Sequence, residues 1–265
     1  MKNRLNKNTK LNFGLLILSI MILLILIGLF YTPYDPDQMD PYAKFMKMSI
    51  KHILGTDQYG RDIYSRLIIG GRTTLIIALI TNGIGVVIGT IIGSLTGYFG
   101  GIVDEAVMRV NDALLSFPSI LIALVIIAMV GPGTYQTTIA MGIVFIPSYA
   151  RIIRSEFIKC KNMDYVSSAK LMGASNFRIM FVHILPNVRK TLSSSLIIGF
   201  NNAVLAEAGM SYLGMGVQPP QPSLGRMLSE SQGYIFTSPM LAIFPGIIIV
   251  IMILGFSLLA GSLEK

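Results

Sequence analysis

Glu207 stands inside an otherwise uncharged stretch, Leu192 to Leu213, together with Ser193, Ser194, Ser195, Asn201 and Asn202. Polar side chains in a run of membrane-spanning length normally face protein or water, and an acid there pairs with a cation or lines a polar route. Asn201, Asn202 and Glu207 are therefore the candidate pathway residues. The plainer alternative has Glu207, near the outer end of its helix, reaching interfacial water while the two asparagines bond between helices. Other chemistry is sparse. Cys160 is the single cysteine, which excludes an internal disulfide and a CxxC site. With only His52 and His183 besides, a structural zinc or haem site is not expected. The chain has no GxxxxGK(S/T) sequence and no Gly-Lys pair at all, so it has no P-loop with which to bind ATP.

The elements that would position these residues are membrane helices. At 53% apolar and 13% charged residues, with a mean hydropathy of +0.68, the composition is that of an all-α integral membrane protein. Six runs have the length and freedom from charge of membrane spans: Phe13 to Phe30, then approximately Leu75 to Tyr98, Ala113 to Val130, Thr134 to Ala150, Leu192 to Leu213 and Leu241 to Leu263. Only the fifth contains an acid. The basic start, with Lys2, Arg4, Lys7 and Lys10, precedes the first run, and no small-x-small cleavage site follows it, so that run is expected to stay as an anchor. Placing the N-terminus inside puts fourteen Lys and Arg on the inner side against seven outside, in keeping with the positive-inside rule. Both termini are then cytoplasmic. The net charge of +8 reports this orientation and implies no nucleic-acid partner. The expected organisation is a cytoplasmic N-terminus over 1–12, a first membrane helix over 13–30, an external loop over 31–72 and a five-helix core over 73–263.

Within that core, residues 151–190 carry eight Lys and Arg against Glu156 and Asp164, between two membrane runs. Tyr165, Ala169 and Met172, then Phe177, Met180, Phe181, Ile184 and Leu185, follow helical spacing, with Gly173 dividing the two pieces and Pro186 closing the second. Such short helices are not stable alone, which points to a docking element resting on something larger. An amphipathic helix lying on the lipid surface is the bland reading. Gly85, Gly89, Gly93, Gly97 and Gly101 recur at every fourth position, a packing face along which another helix can approach closely. Pro118, Pro147 and Pro245 fall inside or at the edge of spans and invite kinks. On the outer side, Asp57 and Arg61, then Asp62 and Arg66, are spaced i,i+4, as in an interfacial amphipathic turn.

Several segments occur together in order: LGTDQYGRDIYSRL, GYFGGIVDE, LSFPSILIAL, YARIIR and AEAGMSYLGMGVQPPQPSLG. In these the chain resembles, over nearly its whole length, the inner-membrane permease subunits of binding-protein-dependent ABC importers of the dipeptide, oligopeptide and nickel family. The family's cytoplasmic motif is Glu-Ala-Ala, three residues, Gly, nine residues, Ile, any residue, Leu-Pro. Ala169, Gly173, Leu185 and Pro186 match it, whereas Ser167, Ser168 and His183 stand where Glu, Ala and Ile are usual.

The resemblance implies a type I ABC importer permease fold and identifies 151–190 as the coupling stretch seated on an ATPase subunit, through Tyr165, Ala169, Gly173, Phe177, Phe181, Leu185 and Pro186. It implies a non-catalytic subunit that binds no cofactor, with ATP and Mg on two partner ATPase subunits. It also implies a second homologous permease as heterodimer partner, an extracellular or periplasmic solute-binding protein, and residence in a bacterial or archaeal cytoplasmic membrane. The favoured solute is a di- or oligopeptide; nickel or another metal chelate is the alternative. A proton-coupled secondary transporter using Glu207 is a remote alternative, since the basic docking stretch and the lack of repeated six-helix halves argue against it. An intramembrane enzyme would need a nucleophile and base, or metal ligands, at membrane depth, and none is visible.

Overall fold

A computed structural model describes residues 12–19, 23, 28 and 31–263 of the chain, in which helices dominate and no strand occurs beyond one isolated bridge, Thr56 to Asp62. Residues 12–19 are helical. The remainder of the expected first span and the basic start lie outside the described residues, apart from positions 23 and 28.

The first long helix, α1 (Ile63–Phe99), has 37 residues and so measures about 55 Å. It starts well before the expected Leu75, so the segment ahead of it spans 31–62 rather than 31–72. The cause is local. Asp62 caps the helix, its carboxylate accepting from Ser65 N at 2.8 Å. After Gly100 the chain forms α2 (Gly101–Leu115) and then α3 (Ser119–Val130), which meet at a bend of 91°. The expected third span, Ala113 to Val130, is thus broken rather than continuous. Pro118 offers no N–H to the preceding turn and biases Phe117 away from helical backbone, so α2 ends and α3 begins anew.

Helix α4 (Thr134–Cys160) carries the fourth run and continues ten residues past Ala150, with Pro147 inside it. The docking stretch follows as α5 (Asp164–Leu171), a helical turn at Asn176–Arg178 and a π-helical segment at Ile179–Ile184. This segment runs without interruption into α6 (Leu185–Tyr212). Pro186 therefore does not close a short helix, as its position suggested. It occupies the first turn of a long one, where a missing N–H is tolerated, and the wider π turn ahead of it absorbs the mismatch. The chain finishes with α7 (Leu224–Ser231) and α8 (Met240–Leu263).

Among the described residues, Ile63–Phe99 and Met240–Ala260 are long and apolar enough to cross a membrane, and the bent α2–α3 pair is a third if taken as one span. The two remaining core runs are helical within α4 and α6, but Gln136 and Thr137 in one and the serines, asparagines and Glu207 in the other dilute their apolar character.

The glycine face explains the central helix pair. A Cβ on Gly85 would lie 2.7 Å from Phe145 Cβ, on Gly89 2.5 Å from Tyr149 Cβ, on Gly93 2.4 Å from the Ala150 carbonyl oxygen, and on Gly97 2.7 Å from the Arg154 carbonyl oxygen. Thus α1 lies directly against α4 of the same chain, its glycine stripe replaced by nothing larger than hydrogen. Gly101 does not extend the stripe: it lies past the helix end at φ +70° and faces open space. Three apolar clusters complete the packing. One joins α1, α6, α7 and α8 around Leu67, Ala203, Leu224 and Met252; one joins α4 to the docking stretch around Phe157 and Met180; the third joins α3, α4 and α6 around Ile127, Met141 and Met210.

The segment 31–62 is clamped by buried charge. Arg61 and Arg66 are each 1% exposed. Arg61 donates to Asp57 at 2.7 Å and to Glu230 at 2.6 Å, while Arg66 donates to the same Glu230 oxygen at 3.3 Å and to the Pro36 carbonyl at 3.0 Å. Asp37 lies on the rim, 3.4 Å from Arg66, and its burial raises the carboxyl above its ordinary range although Arg66 pulls the other way. The expected pair of Asp62 with Arg66 does not form. Asp62 instead caps α1 and sits 2.9 Å from His52 Nδ1, so these residues form an interior staple between 31–62 and α7 rather than an amphipathic surface turn.

Candidate functional site

The bend between α2 and α3, the middle of α4 and the polar half of α6 enclose a cavity of about 590 Å³. Leu114, Phe117, Ser119 and Ile120 come from the bend, Ile143, Pro147, Ser148 and Tyr149 from α4, and Ser195, Ile198, Gly199, Asn202 and Leu205 from α6. None of the described residues lining it carries a charge. Its rear wall is locked by a polar cluster. Tyr149 Oη donates to Asn82 Oδ1 and lies 3.1 Å from the Ser195 carbonyl oxygen, and Asn82 Nδ2 donates to the Leu196 carbonyl at 2.9 Å. Any Cβ at Gly199 would lie 1.9 Å from Tyr149 Oη, so glycine is what lets the tyrosine cross to α6. Asn111 of α2 donates to the Pro147 carbonyl at 3.0 Å, and Arg154 grips Asp104 with two hydrogen bonds of 2.6 and 2.7 Å, together fixing α2 on α4.

The three pathway candidates separate here. Asn202 lines the cavity with an exposed side chain. Asn201 turns toward α8 and donates to Ser257 Oγ at 2.8 Å. Glu207 is 0% exposed and does not line the cavity, nor does it reach an interface. Its Oε1 accepts from Ser211 Oγ at 2.7 Å, and Oε2 faces the Thr74 and Ser223 hydroxyls without a hydrogen bond of ordinary geometry. Ser211 Oγ in turn accepts from Val217 N at 3.1 Å, and Thr74 Oγ1 from Leu224 N at 3.2 Å. Glu207 thus belongs to the junction where α1, α6 and the loop before α7 meet. Asn82, Tyr149 and Gly199 were not singled out from sequence. The one feature that could have found them is Asn82, a lone amide within an apolar run.

At the far end of α4, the docking stretch has two unlike faces. Ala169, Met180 and Ile184 are buried against Ile153, Phe157 and Val188, with Tyr165 and Leu185 packed at the margin. Burial pushes the Tyr165 phenol up to about 12. The opposite face is open: Phe177 is 62% and Phe181 41% exposed, their rings parallel within 4° at 6.4 Å, and Met172 and Pro186 are exposed beside them. Met172 therefore does not share the inward face of Tyr165 and Ala169 that its spacing suggested. The hinge has the geometry of a glycine-capped helix end. Gly173 has φ +78°, Ala174 N donates to the Ala169 carbonyl at 3.1 Å and Gly173 N to the Lys170 carbonyl at 3.0 Å, after which Ser175 caps the next turn. Tyr98 of α1 donates to Asn176 Oδ1 at 2.9 Å, tying this hinge to the central helix.

Comparison with known proteins gives concordant results. Residues 85–265 match the family described as binding-protein-dependent transport system inner membrane component. The dipeptide transport system permease protein DppC of Alkalihalophilus pseudofirmus is 35% identical over 261 residues, covering 98% of this chain and 86% of that protein. The glutathione transport system permease protein GsiD of Pectobacterium atrosepticum is 36% identical over 233 residues, covering 88% and 77%. Among solved structures, an inward-facing form of the MetNI methionine ABC transporter aligns with a TM-score of 0.62 at 20% identity, over 74% of this chain and 93% of that one.

Proposed function

This chain belongs to the family of binding-protein-dependent transport system inner membrane components, and we propose that it is the membrane subunit of an ATP-driven importer of short peptides. The observation that carries this reading is the two-faced docking stretch, since an ordered hairpin presenting Phe177 and Phe181 outward is built to seat in another protein. The chain has no P-loop of its own, so ATP and Mg are assigned to two partner ATPase subunits. Tyr165, Ala169 and Leu185 would hold the hairpin to this chain, Phe177, Phe181 and Pro186 would meet the ATPase, and Gly173 would set the angle between the two pieces. The cavity, walled on one side by α3, α4 and α6, would form half of the translocation path, with a second, homologous permease supplying the other half. An external solute-binding protein would deliver solute to it. In this reading the six apolar runs are six spans in a bacterial or archaeal inner membrane, and the fourteen-to-seven charge split favours both termini in the cytoplasm.

Peptide is favoured as solute because the relatives are named for dipeptide and glutathione transport, and because an uncharged wall offers hydroxyls and an amide rather than metal donors. The test is ATP hydrolysis by the assembled transporter in lipid nanodiscs, with the binding protein and either dipeptides or a nickel–histidine chelate. Stimulation by dipeptides alone is the expected result. Stimulation by the chelate alone would replace the solute assignment, and failure of ATPase subunits to co-purify with the chain would remove the importer reading.

A further inference from the structure

We propose that Asn202 is the residue of this chain that recognises the peptide group of the passing solute, an inference that rests on the peptide-importer reading above. Asn202 is exposed on the cavity wall, and its side-chain amide makes no hydrogen bond to any described residue. Its neighbour Asn201, by contrast, is committed to Ser257. The Tyr149 hydroxyl on the same wall is turned to Asn82 and the Ser195 carbonyl, so it is occupied in holding helices together. An uncarboxamidated apolar wall would suit a greasy solute; a single free carboxamide in such a wall suits something that presents a donor and an acceptor side by side. A peptide group does so, with N–H and C=O in one plane, and a planar amide carrying two donors and an acceptor is its complement. With no charge among the described residues of the wall, this chain offers a peptide's ammonium or carboxylate no ion pair. What remains for it to read is the group that all peptides share, which lets one path accept many side chains. The cavity of about 590 Å³ has the size of ordinary small-ligand sites.

The test is uptake into proteoliposomes holding the complete transporter, comparing alanyl-alanine with its depsipeptide, in which an ester oxygen replaces the N–H. The same binding protein serves every variant, so its own preference cancels when variants are compared. Losing one hydrogen bond of ordinary strength changes the amide-over-ester ratio by roughly fivefold. The ratio should therefore fall about fivefold in Asn202→Ala and stay close to wild type in Asn202→Gln, which keeps the amide. A ratio in Asn202→Ala equal to wild type, in a transporter that does carry peptide, overturns the assignment. So does failure of both variants to pair with the second permease, which would make Asn202 a subunit-contact residue. A wild-type transporter that assembles but carries neither compound overturns the peptide reading itself, a result distinct from either of these.

Discussion

Glu207 shows how far a single residue can be read. Its presence as the one acid in six apolar runs is visible in the sequence, and Ser211 is a local i,i+4 partner, but Thr74 and Ser223 come from other elements and left no trace in the spacing. With the carboxyl fully buried off the cavity, its removal should cost stability rather than solute recognition. Glu207→Ala leaves the Ser211 hydroxyl and its neighbours without their acceptor, and is expected to lower stability by about 1–3 kcal/mol. Thermal unfolding of the purified complex reads this, together with an unchanged KM for solute in the protein that survives; a raised KM at unaltered stability would return Glu207 to the pathway. A comparable effect is expected at Glu230. It is the shared acceptor of two guanidinium groups that are each 1% exposed, so Glu230→Ala leaves both of them to Asp57 and the rim carboxylate of Asp37, under-compensated, at up to about 3 kcal/mol. Protease cleavage within 31–62 should accelerate accordingly, whereas Arg226→Ala, at a partly exposed pair with the same carboxylate, should change it little. The i,i+4 spacing suggested two independent local pairs here. Only the Asp57–Arg61 pair forms, since Arg66 turns instead to Glu230, 164 residues away in sequence, while Asp62 caps α1.

Elements were legible where their physics is local and periodic. Glycine at every fourth position announces a close helix contact, and the chain does bring another helix to it; which helix that would be is a matter of three-dimensional path and left no trace in the spacing. The broken third span and the continuous passage through Pro186 show the limit of reading prolines one at a time. One proline follows a residue it biases out of helical backbone, and the other sits in a first turn that a π segment accommodates. The docking hairpin was legible as two amphipathic pieces, but not which apolar residues face inward, because a short helix can bury one side and present another. Two neighbouring kinds of glycine in α1 test the packing claim. A Cβ at Gly93 would collide with the Ala150 backbone, whereas one at Gly83 meets nothing within 4 Å. Gly93→Ala should therefore sharply reduce the amount of folded subunit recovered from membranes, and Gly83→Ala should leave it unchanged or raise stability by up to about 1 kcal/mol. Equal recovery of the two variants would mean that α1 and α4 are not in contact along this face.

At the scale of the whole molecule, the ionic staple, the cavity wall and the docking hairpin are carried by the same few helices. Helix α1 begins in the ionic cluster, passes the cavity's rear wall at Asn82, and ends where Tyr98 holds Asn176 of the hairpin. A displacement of the hairpin by a moving ATPase would therefore act on α1 and α4 as rigid levers and reach the cavity without any change of secondary structure. Because Phe181 faces away from its own chain, its role can be separated from folding. Phe181→Asp should leave the subunit folded and paired with the second permease, yet abolish solute-stimulated ATP hydrolysis by placing an unpartnered charge in an apolar contact. Gly173→Val acts at the same site by another route, since a β-branched residue at φ +78° costs roughly 1–2 kcal/mol and would misalign the two pieces. The sidedness of the molecule is tested alongside. In a variant with Cys160 replaced, an impermeant thiol reagent should reach cysteines introduced at Gln38 and Gln221 in intact cells and should reach Asn176→Cys only after the membrane is opened. Normal stimulation in both hairpin variants would remove the coupling assignment, and labelling of Asn176→Cys in intact cells would invert the orientation on which that assignment depends.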